Sequence, residues 1–302
     1  MTTARGHSVG ILWIFLSGLC FVAVTAIVKH VGSSVPPAQA AFLRYLFGLA
    51  FLLPTFASII NTKLTLRTTS KLAVRGIAHA VAVLCWFYAM TRIPIAELTA
   101  MNYASPVCIM AAAAILLGER LGLRRILAIA ACLAGILIIL RPGFREVSAG
   151  HFAMLAAAAA FAISYLIAKG LSEQLGATVV VGMLSLVVTL CLAPFAAAVW
   201  VAPAKEEILW LILVAFFATL AHYLMTLSFR SAPLSVTQPA VFLQLVWATL
   251  VGAILFGEPA DAFVILGGFT IVAAVSLVAL GDSAQLEDTQ RKARSGAAGT
   301  SE

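Results

Sequence analysis

The sequence predicts an all-α integral membrane protein with ten transmembrane helices, arranged as two inverted five-helix repeats. Three observations lead to this prediction: the composition, the series of long apolar stretches, and an internal repeat. Of the 302 residues, 63% are hydrophobic and 10% are charged, and the mean hydropathy is +1.07. A water-soluble fold could not cover so much apolar surface with so few charged residues. We therefore expect the lipid bilayer to surround most of the chain.

The apolar stretches are long enough to cross a bilayer, because a spanning helix needs about 20 residues. Proline, glycine or charged residues separate them, as expected where helices end. The first stretch is interpreted as a span and not as a cleaved signal peptide, because comparable stretches follow it. The ten predicted spans are 9–29, 38–60, 72–91, 95–117, 123–140, 151–170, 177–200, 207–229, 234–256 and 262–280.

Lysine and arginine predict the orientation, because cytoplasmic loops carry the excess of positive charge. With the N-terminus inside, 13 basic residues fall on the cytoplasmic side and 5 outside. The cytoplasmic group includes Arg75, assigned to the basic segment between spans two and three. Both termini are therefore predicted to be cytoplasmic, in a multi-pass protein of the cytoplasmic (inner) membrane. The polar segment 282–302 is predicted to be a disordered cytoplasmic tail.

The internal repeat relates residues 9–141 to residues 150–280. Matches that are not merely apolar occur in a fixed order at shifts of 140 and 139: Lys29 with Lys169, Pro54 with Pro194, Pro94 with Pro233, and Gly118-Glu119 with Gly257-Glu258. Each repeat contains five spans, an odd number, so the second must be inverted relative to the first. Inverted repeats are typical of secondary carriers, which expose a central site to each side in turn.

Other classes of protein find little support. The sequence contains no H-E-x-x-H and no P-loop, so neither an enzyme nor an ATP-driven pump is expected. We expect no cofactor, no metal site and no nucleic-acid partner, because the basic residues lie between apolar stretches. The expected partners are a small-molecule substrate and the lipid bilayer. A monomer and a homodimer are both compatible with the sequence.

A family resemblance is carried by a span that contains Pro106, ends in Leu116-Leu117-Gly118-Glu119-Arg120, and is followed by a short span ending in Arg141-Pro142. In this pattern the chain resembles the drug/metabolite transporter superfamily, with two EamA-type domains. The second copy departs from it, because Leu245 replaces the proline and Pro259 follows the glutamate. The resemblance implies a substrate cavity near the middle, small metabolites as cargo, and peripheral fifth and tenth spans. Segments 41–45 and 244–247 also resemble carriers of riboflavin or S-adenosylmethionine.

Polar side chains inside the spans are the candidates for substrate binding, because each needs a partner, a water-filled cavity or a role in lipid. Arg44 either reaches toward the outer headgroups or anchors an anionic or carbonyl group of the cargo. The other candidates either form interhelical hydrogen bonds or line the cavity. They are His79, Trp86, Asn102, Tyr103, Tyr165, His222, Tyr223, Gln238, Gln244 and Trp247.

Three of the titratable side chains are also candidates for coupling transport to protons: Glu97, His79 and His222. The alternative for Glu97 is a favourable contact with the N-terminal dipole of the fourth span. The alternative for the two histidines is hydrogen bonding within the helix packing.

Riboflavin is the favoured substrate from the sequence, because aromatic, histidine and amide side chains with little fixed charge suit a flat neutral ring. The alternatives are S-adenosylmethionine uptake and the export of amino acids or other metabolites. A cationic sulfonium would require a buried carboxylate, which only Glu97 offers. The sequence does not determine the direction of transport or the coupling ion.

Overall fold

The computed structural model describes residues 4–32, 34–53, 59–105, 108, 122–144, 146–232 and 234–277, with side chains left undescribed at 4–7, 125 and 234–242. Within these ranges the chain forms ten helices of eight residues or more. They are α1 (Ala4–Val31), α2 (Pro37–Leu52), α3 (Leu66–Met90), α4 (Ile95–Asn102), α5 (Leu123–Leu140), α6 (Ala149–Ser172), α7 (Ala177–Ala198), α8 (Lys205–Ser231), α9 (Leu234–Phe256) and α10 (Ala262–Leu277).

Each helix falls within or close to one predicted span. Five of them, α1, α3, α6, α7 and α8, are long and apolar enough to cross a membrane by length and composition. Shorter apolar helices occupy the predicted spans 38–60, 123–140, 234–256 and 262–280. In the fourth predicted span, α4 ends at Asn102 and a turn follows at Tyr103 and Ala104. Pro106, the 116–120 motif and the predicted tail 282–302 lie outside the described residues.

The helix ends follow local sequence signals. Thr65 caps α3, its hydroxyl accepting the Thr68 N–H at 3.2 Å, and Pro94 precedes the first turn of α4. At the C-terminus of α5, Arg141 adopts a left-handed conformation with φ of 44°, and Gly257 does the same after α9 with φ of 62°. These are the standard ways in which a helix satisfies or terminates its exposed backbone groups.

Helix packing joins the two halves of the chain. α1 packs on α8 and α3 packs on α6, while α2 contacts α7 and α4 contacts α9. Exchanging equivalent helices of the two halves converts the α1–α8 pair into the α3–α6 pair and leaves the other two pairs unchanged. At the edge of the bundle, α5 meets α10 where Gly135 and Gly267 face each other; a Cβ on Gly267 would lie 2.6 Å from the Gly135 carbonyl oxygen. Small residues of this kind let membrane helices approach closely.

Candidate substrate cavity

A cavity of about 220 Å³ lies among eight helices drawn from both halves of the chain. This volume lies just under the lower end of the 300–1,000 Å³ usual for sites that bind small molecules. Its described lining residues are Ile14, Ser17, Gly18, Phe21, Arg44, Tyr45, His79, Val83, Trp86, Phe87, Asn102, Tyr103, Ser105, Phe161, Tyr165, Leu166, Lys169, His222, Met225, Phe229, Gln244, Val272 and Val275.

Aromatic rings form one wall of this cavity. Phe161 and Tyr165 of α6 stack with ring centroids 5.4 Å apart, and Trp86 of α3 meets the edge of Phe161 at 5.9 Å. Phe21 of α1 contacts Trp86 at 6.1 Å in the same edge-to-face manner. These distances are within the favourable range for aromatic pairs. The wall is therefore a packed apolar surface against which a planar ring can lie.

The two histidines expected from the sequence lie side by side on the cavity. The rings of His79 and His222 have centroids 5.1 Å apart. His79 Nδ1 is 2.9 Å from the hydroxyl of Ser164, and His222 contacts the edge of Phe21. The structure thus brings α3 and α8, equivalent helices of the two halves, together at this point.

Several buried polar atoms of the lining have no hydrogen-bond partner among the residues that the structure describes. They are Tyr45 Oη, His79 Nε2, Trp86 Nε1, Asn102 Oδ1 and His222 Nδ1. A buried polar atom left unpaired costs about 1–3 kcal/mol, and such atoms are rare away from sites that bind something. The cavity consequently offers both donors and acceptors to a polar ligand.

Positive charge also reaches the lining. Arg44 is only 3% exposed, and its guanidinium stacks on the Tyr45 ring at 3.6 Å. It therefore lies within the protein and does not extend to the outer headgroups. Lys169 donates to the Phe229 carbonyl at 2.6 Å and lies 3.4 Å from Glu173. The sequence had suggested a site with little fixed charge; the structure corrects this.

Arg75 was misplaced in the sequence interpretation. It is 1% exposed inside α3, where its Nη1 donates to the Val180 carbonyl at 2.9 Å, and its Nε has no partner in the described part of the chain. Removing it from the 13 cytoplasmic residues leaves 12, so the charge asymmetry persists. The available signal was its position within the predicted span 72–91, where an ionisable side chain is unusual.

Some of the predicted site residues lie elsewhere. Trp247 is 41% exposed, and Tyr223 is partly buried; neither lines the cavity. The side chain of Gln238 is outside the described residues. The remaining candidates from the sequence (Arg44, His79, Trp86, Asn102, Tyr103, Tyr165, His222 and Gln244) all line the cavity.

Glu97 lies in the first turn of α4, as expected, but it is buried away from the cavity lining. His151 Nε2 is 2.9 Å from its carboxylate. The Ser148 N–H donates to His151 Nδ1 at 3.0 Å, so the imidazole proton lies on Nε2 and is donated to Glu97. His151 was not among the residues predicted from the sequence, because a histidine at the start of a span carries no distinguishing signal.

An ion-pair cluster ties three elements together at the end of the bundle where α1 finishes. The Glu258 carboxylate pairs with Lys29 and accepts the Ile95 N–H at 2.9 Å. Lys29 also donates to the Ile93 carbonyl at 3.2 Å. We call Lys29, Glu258 and the backbone of 93–95 the Lys29 cluster. Nearby, Arg141 pairs with Asp261, which also accepts the Phe263 N–H.

Comparison with known proteins identifies the family. The sequence profile of the EamA-like transporter family matches residues 8–141 and again 148–280. The chain belongs to this family, and it is a transmembrane protein of the drug/metabolite transporter type. A protein of known crystal structure shares the fold, with a TM-score of 0.62 and 19% identity over 93% of this chain and 99% of that chain.

Three curated bacterial relatives are similar over most of their length. A riboflavin transporter of Rhizobium johnstonii is 27% identical, covering 88% of this chain and 89% of the relative. An S-adenosylmethionine uptake transporter of Rickettsia bellii is 23% identical, covering 91% and 94%. A pseudopaline exporter of Pseudomonas aeruginosa is 27% identical, covering 88% and 94%. The chain is therefore an EamA-type transporter of small metabolites, and its relatives differ in cargo and direction.

Proposed function

We propose that the protein is a secondary carrier that moves a small metabolite across the cytoplasmic membrane by alternating access. The observation that carries the proposal is the central cavity, which both halves line and which contains unpaired polar atoms. Ten spans in two inverted repeats, with both termini cytoplasmic, complete the proposed arrangement. It is supported by the two separate profile matches and by helix pairs that interchange between the halves.

Alternating access needs contacts that close one end of the cavity at a time. In the proposed orientation, α1 ends on the external side, so the Lys29 cluster closes the external end. Glu258 joins the α9–α10 turn to Lys29 of α1 and to the start of α4. Breaking these bonds would free the turn and α4 to separate from α1.

Riboflavin is the first candidate for the cargo. The wall of Phe21, Trp86, Phe161 and Tyr165 suits a flat ring, and one relative is a riboflavin transporter. Arg44 can donate to a ring carbonyl at the cavity. A cationic sulfonium fits less well, because no aspartate or glutamate is among the described lining residues.

The test is uptake into proteoliposomes of labelled riboflavin, S-adenosylmethionine and a panel of amino acids, with and without a pH gradient. We expect saturable uptake of riboflavin that falls at least tenfold in Trp86→Leu, which removes one ring of the aromatic wall and the unpaired N–H that this ring carries. Trp247→Leu is the matched control and should retain wild-type uptake, because this tryptophan is exposed away from the cavity. Equal uptake by empty liposomes would contradict the proposal.

A further inference from the structure

We propose that the cavity selects a cargo carrying an anionic group, a carboxylate or a phosphate, that binds Arg44; this inference rests on the proposed carrier function. The preferred cargo is then a small planar ring bearing an acid. Neutral riboflavin would be a weaker substrate than such an acid. The proposal follows from the charges that surround the cavity.

Arg44 is the first part of the argument. Its guanidinium borders the cavity, is buried, and makes its described contact with the face of Tyr45. The ion pairs of the described residues are Lys29–Glu258, Arg141–Asp261, His151–Glu97 and Lys169–Glu173. None of them includes Arg44. An unpaired charge buried in a membrane protein is costly, and it commonly marks a substrate pathway.

Two further cations reinforce this charge. Arg75 precedes His79 by one turn of α3, so both lie on the same face. It is buried and bonded to a carbonyl, without a carboxylate partner in the described residues. Lys169 lies on the lining, and its described ion pair is with Glu173, whose side chain is 61% exposed. The cavity therefore carries positive charge that no carboxylate among its described lining residues balances, and such a field attracts anions.

The lining also supplies the geometry for an anion. A guanidinium forms two parallel hydrogen bonds with a carboxylate or a phosphate, which a neutral carbonyl cannot match. The Trp86 N–H, unpaired and buried, can only donate. Tyr45 offers an unpaired hydroxyl close to Arg44. These donors suit acceptor oxygens, and the aromatic wall beside them suits the ring that carries those oxygens.

The experiment compares matched neutral and anionic probes on the purified full-length protein. The pairs are nicotinamide and nicotinate, indole-3-acetamide and indole-3-acetate, and riboflavin and riboflavin 5′-phosphate. Carboxylates in the first two pairs and a phosphate in the third separate the two sources of negative charge. Binding is measured by thermal stabilisation in detergent, and transport by uptake into proteoliposomes. We expect the anion of at least one pair to be preferred about tenfold or more.

Variants at Arg44 test the assignment. Arg44→Gln should abolish the preference for the anion, and Arg44→Lys should retain part of it. Arg92→Gln is the control, because Arg92 stacks on Tyr88 at the same 3.6 Å but is exposed and does not line the cavity. If Arg44→Gln does not fold, the preference for the anion over its neutral partner is compared between the wild type and Arg44→Lys. A smaller preference in Arg44→Lys supports the assignment to Arg44, and an equal one overturns it.

The outcomes separate the two proposals. Stabilisation by anions without any uptake would support the anion site and contradict the carrier function. Uptake of the neutral members at equal or greater rates would support the carrier function and overturn the anion site. An anion preference unchanged in Arg44→Gln would also overturn it. If none of these compounds is bound and none is taken up, both the anion site and the carrier function are contradicted.

Discussion

Lys29 and Lys169 occupy equivalent positions in the two halves of the sequence, but their surroundings differ. Both donate to a carbonyl near the end of an equivalent helix: Lys29 to Ile93 after α3, and Lys169 to Phe229 in α8. Lys29 also pairs with Glu258, which lies 229 residues away in the sequence. The described carboxylate near Lys169 is Glu173, one turn further along the same helix.

Among the described residues, an ion pair joins the two halves at the Lys29 end of the bundle, whereas at the other end Lys169 lies on the cavity. Gly252 leaves room for the Glu258 carboxylate that pairs with Lys29, because a Cβ on Gly252 would lie 2.4 Å from Glu258 Oε2. At the equivalent position of the first repeat the sequence has Ala113, and the equivalent glutamate, Glu119, lies outside the described residues. Ends that close one at a time are what the proposed alternating access requires.

Breaking the ion pair between Lys29 and Glu258 should have the largest effect on uptake. Glu258→Gln leaves Lys29 without its charge partner in a mostly buried setting, for which we expect a loss of about 2 kcal/mol. That energy corresponds to roughly a 30-fold shift between the closed and open forms of this end. We expect uptake of the transported substrate to fall about tenfold or more. A cysteine replacing Phe21, in a background lacking the native cysteines, should become reactive toward a membrane-impermeant maleimide from the Lys29 end.

The matched control is Glu173→Gln at the other lysine. Glu173 is largely exposed and pairs along its own helix, and such pairs contribute about 0.5 kcal/mol or less. Uptake should stay within about twofold of the wild type. Equal losses in the two variants would show that the ends of the bundle do not differ in the way the contacts indicate.

A smaller effect is expected from adding one methyl group. Gly252→Ala would displace the Glu258 carboxylate, since the Cβ would lie only 2.4 Å from it. Because the side chain can rotate away without losing its charge, we expect uptake to fall about threefold to fivefold. The effect should be absent when Glu258→Gln is already present, since both changes act on one contact.

Gly170→Ala provides the control for this change. Gly170 follows Lys169 in α6, and apart from its chain neighbours and its own helix backbone no described atom lies within 4 Å of a Cβ built there. Alanine also favours the helix by about 1 kcal/mol relative to glycine. Uptake should be unchanged and the thermal stability equal or higher. A drop matching that of Gly252→Ala would mean that backbone freedom, and not space for Glu258, is what matters.

Much of the fold could be predicted from the sequence, because apolar length and helix-stopping residues are local signals. The interval 123–140 coincides with α5 and 234–256 with α9. The fourth span was predicted as one segment, 95–117, but α4 ends at Asn102, because polar residues within a span do not by themselves show where a helix stops. The pairing of Lys29 with Glu258 depends on helices distant in sequence, so spacing alone could not reveal it.

The candidate site was predicted in part, because an uncharged polar residue inside a span is conspicuous. His79 and His222 were visible for that reason, and they lie side by side. Phe21 and Phe161 were not, because a phenylalanine that faces a cavity looks the same in sequence as one that faces lipid. Trp247 shows the reverse error: this tryptophan, three residues after Gln244, was assigned to the cavity, but its side chain is exposed.

The smallest effect is expected at Arg141 and Asp261, which lie at the same end as the Lys29 cluster. Asp261→Asn removes the charge pairing with Arg141 but can still accept the Phe263 N–H that Asp261 now caps. Both side chains are about a quarter exposed, so the pair contributes at most about 1 kcal/mol. We expect the melting temperature to fall by about 2 °C and uptake to be unchanged.

Asp261→Ala should lower the melting temperature further, because it also removes the cap. If Asp261→Asn instead reduces uptake as strongly as Glu258→Gln, the closed end must extend from the Lys29 cluster to α5, and the peripheral helix would take part in the conformational change.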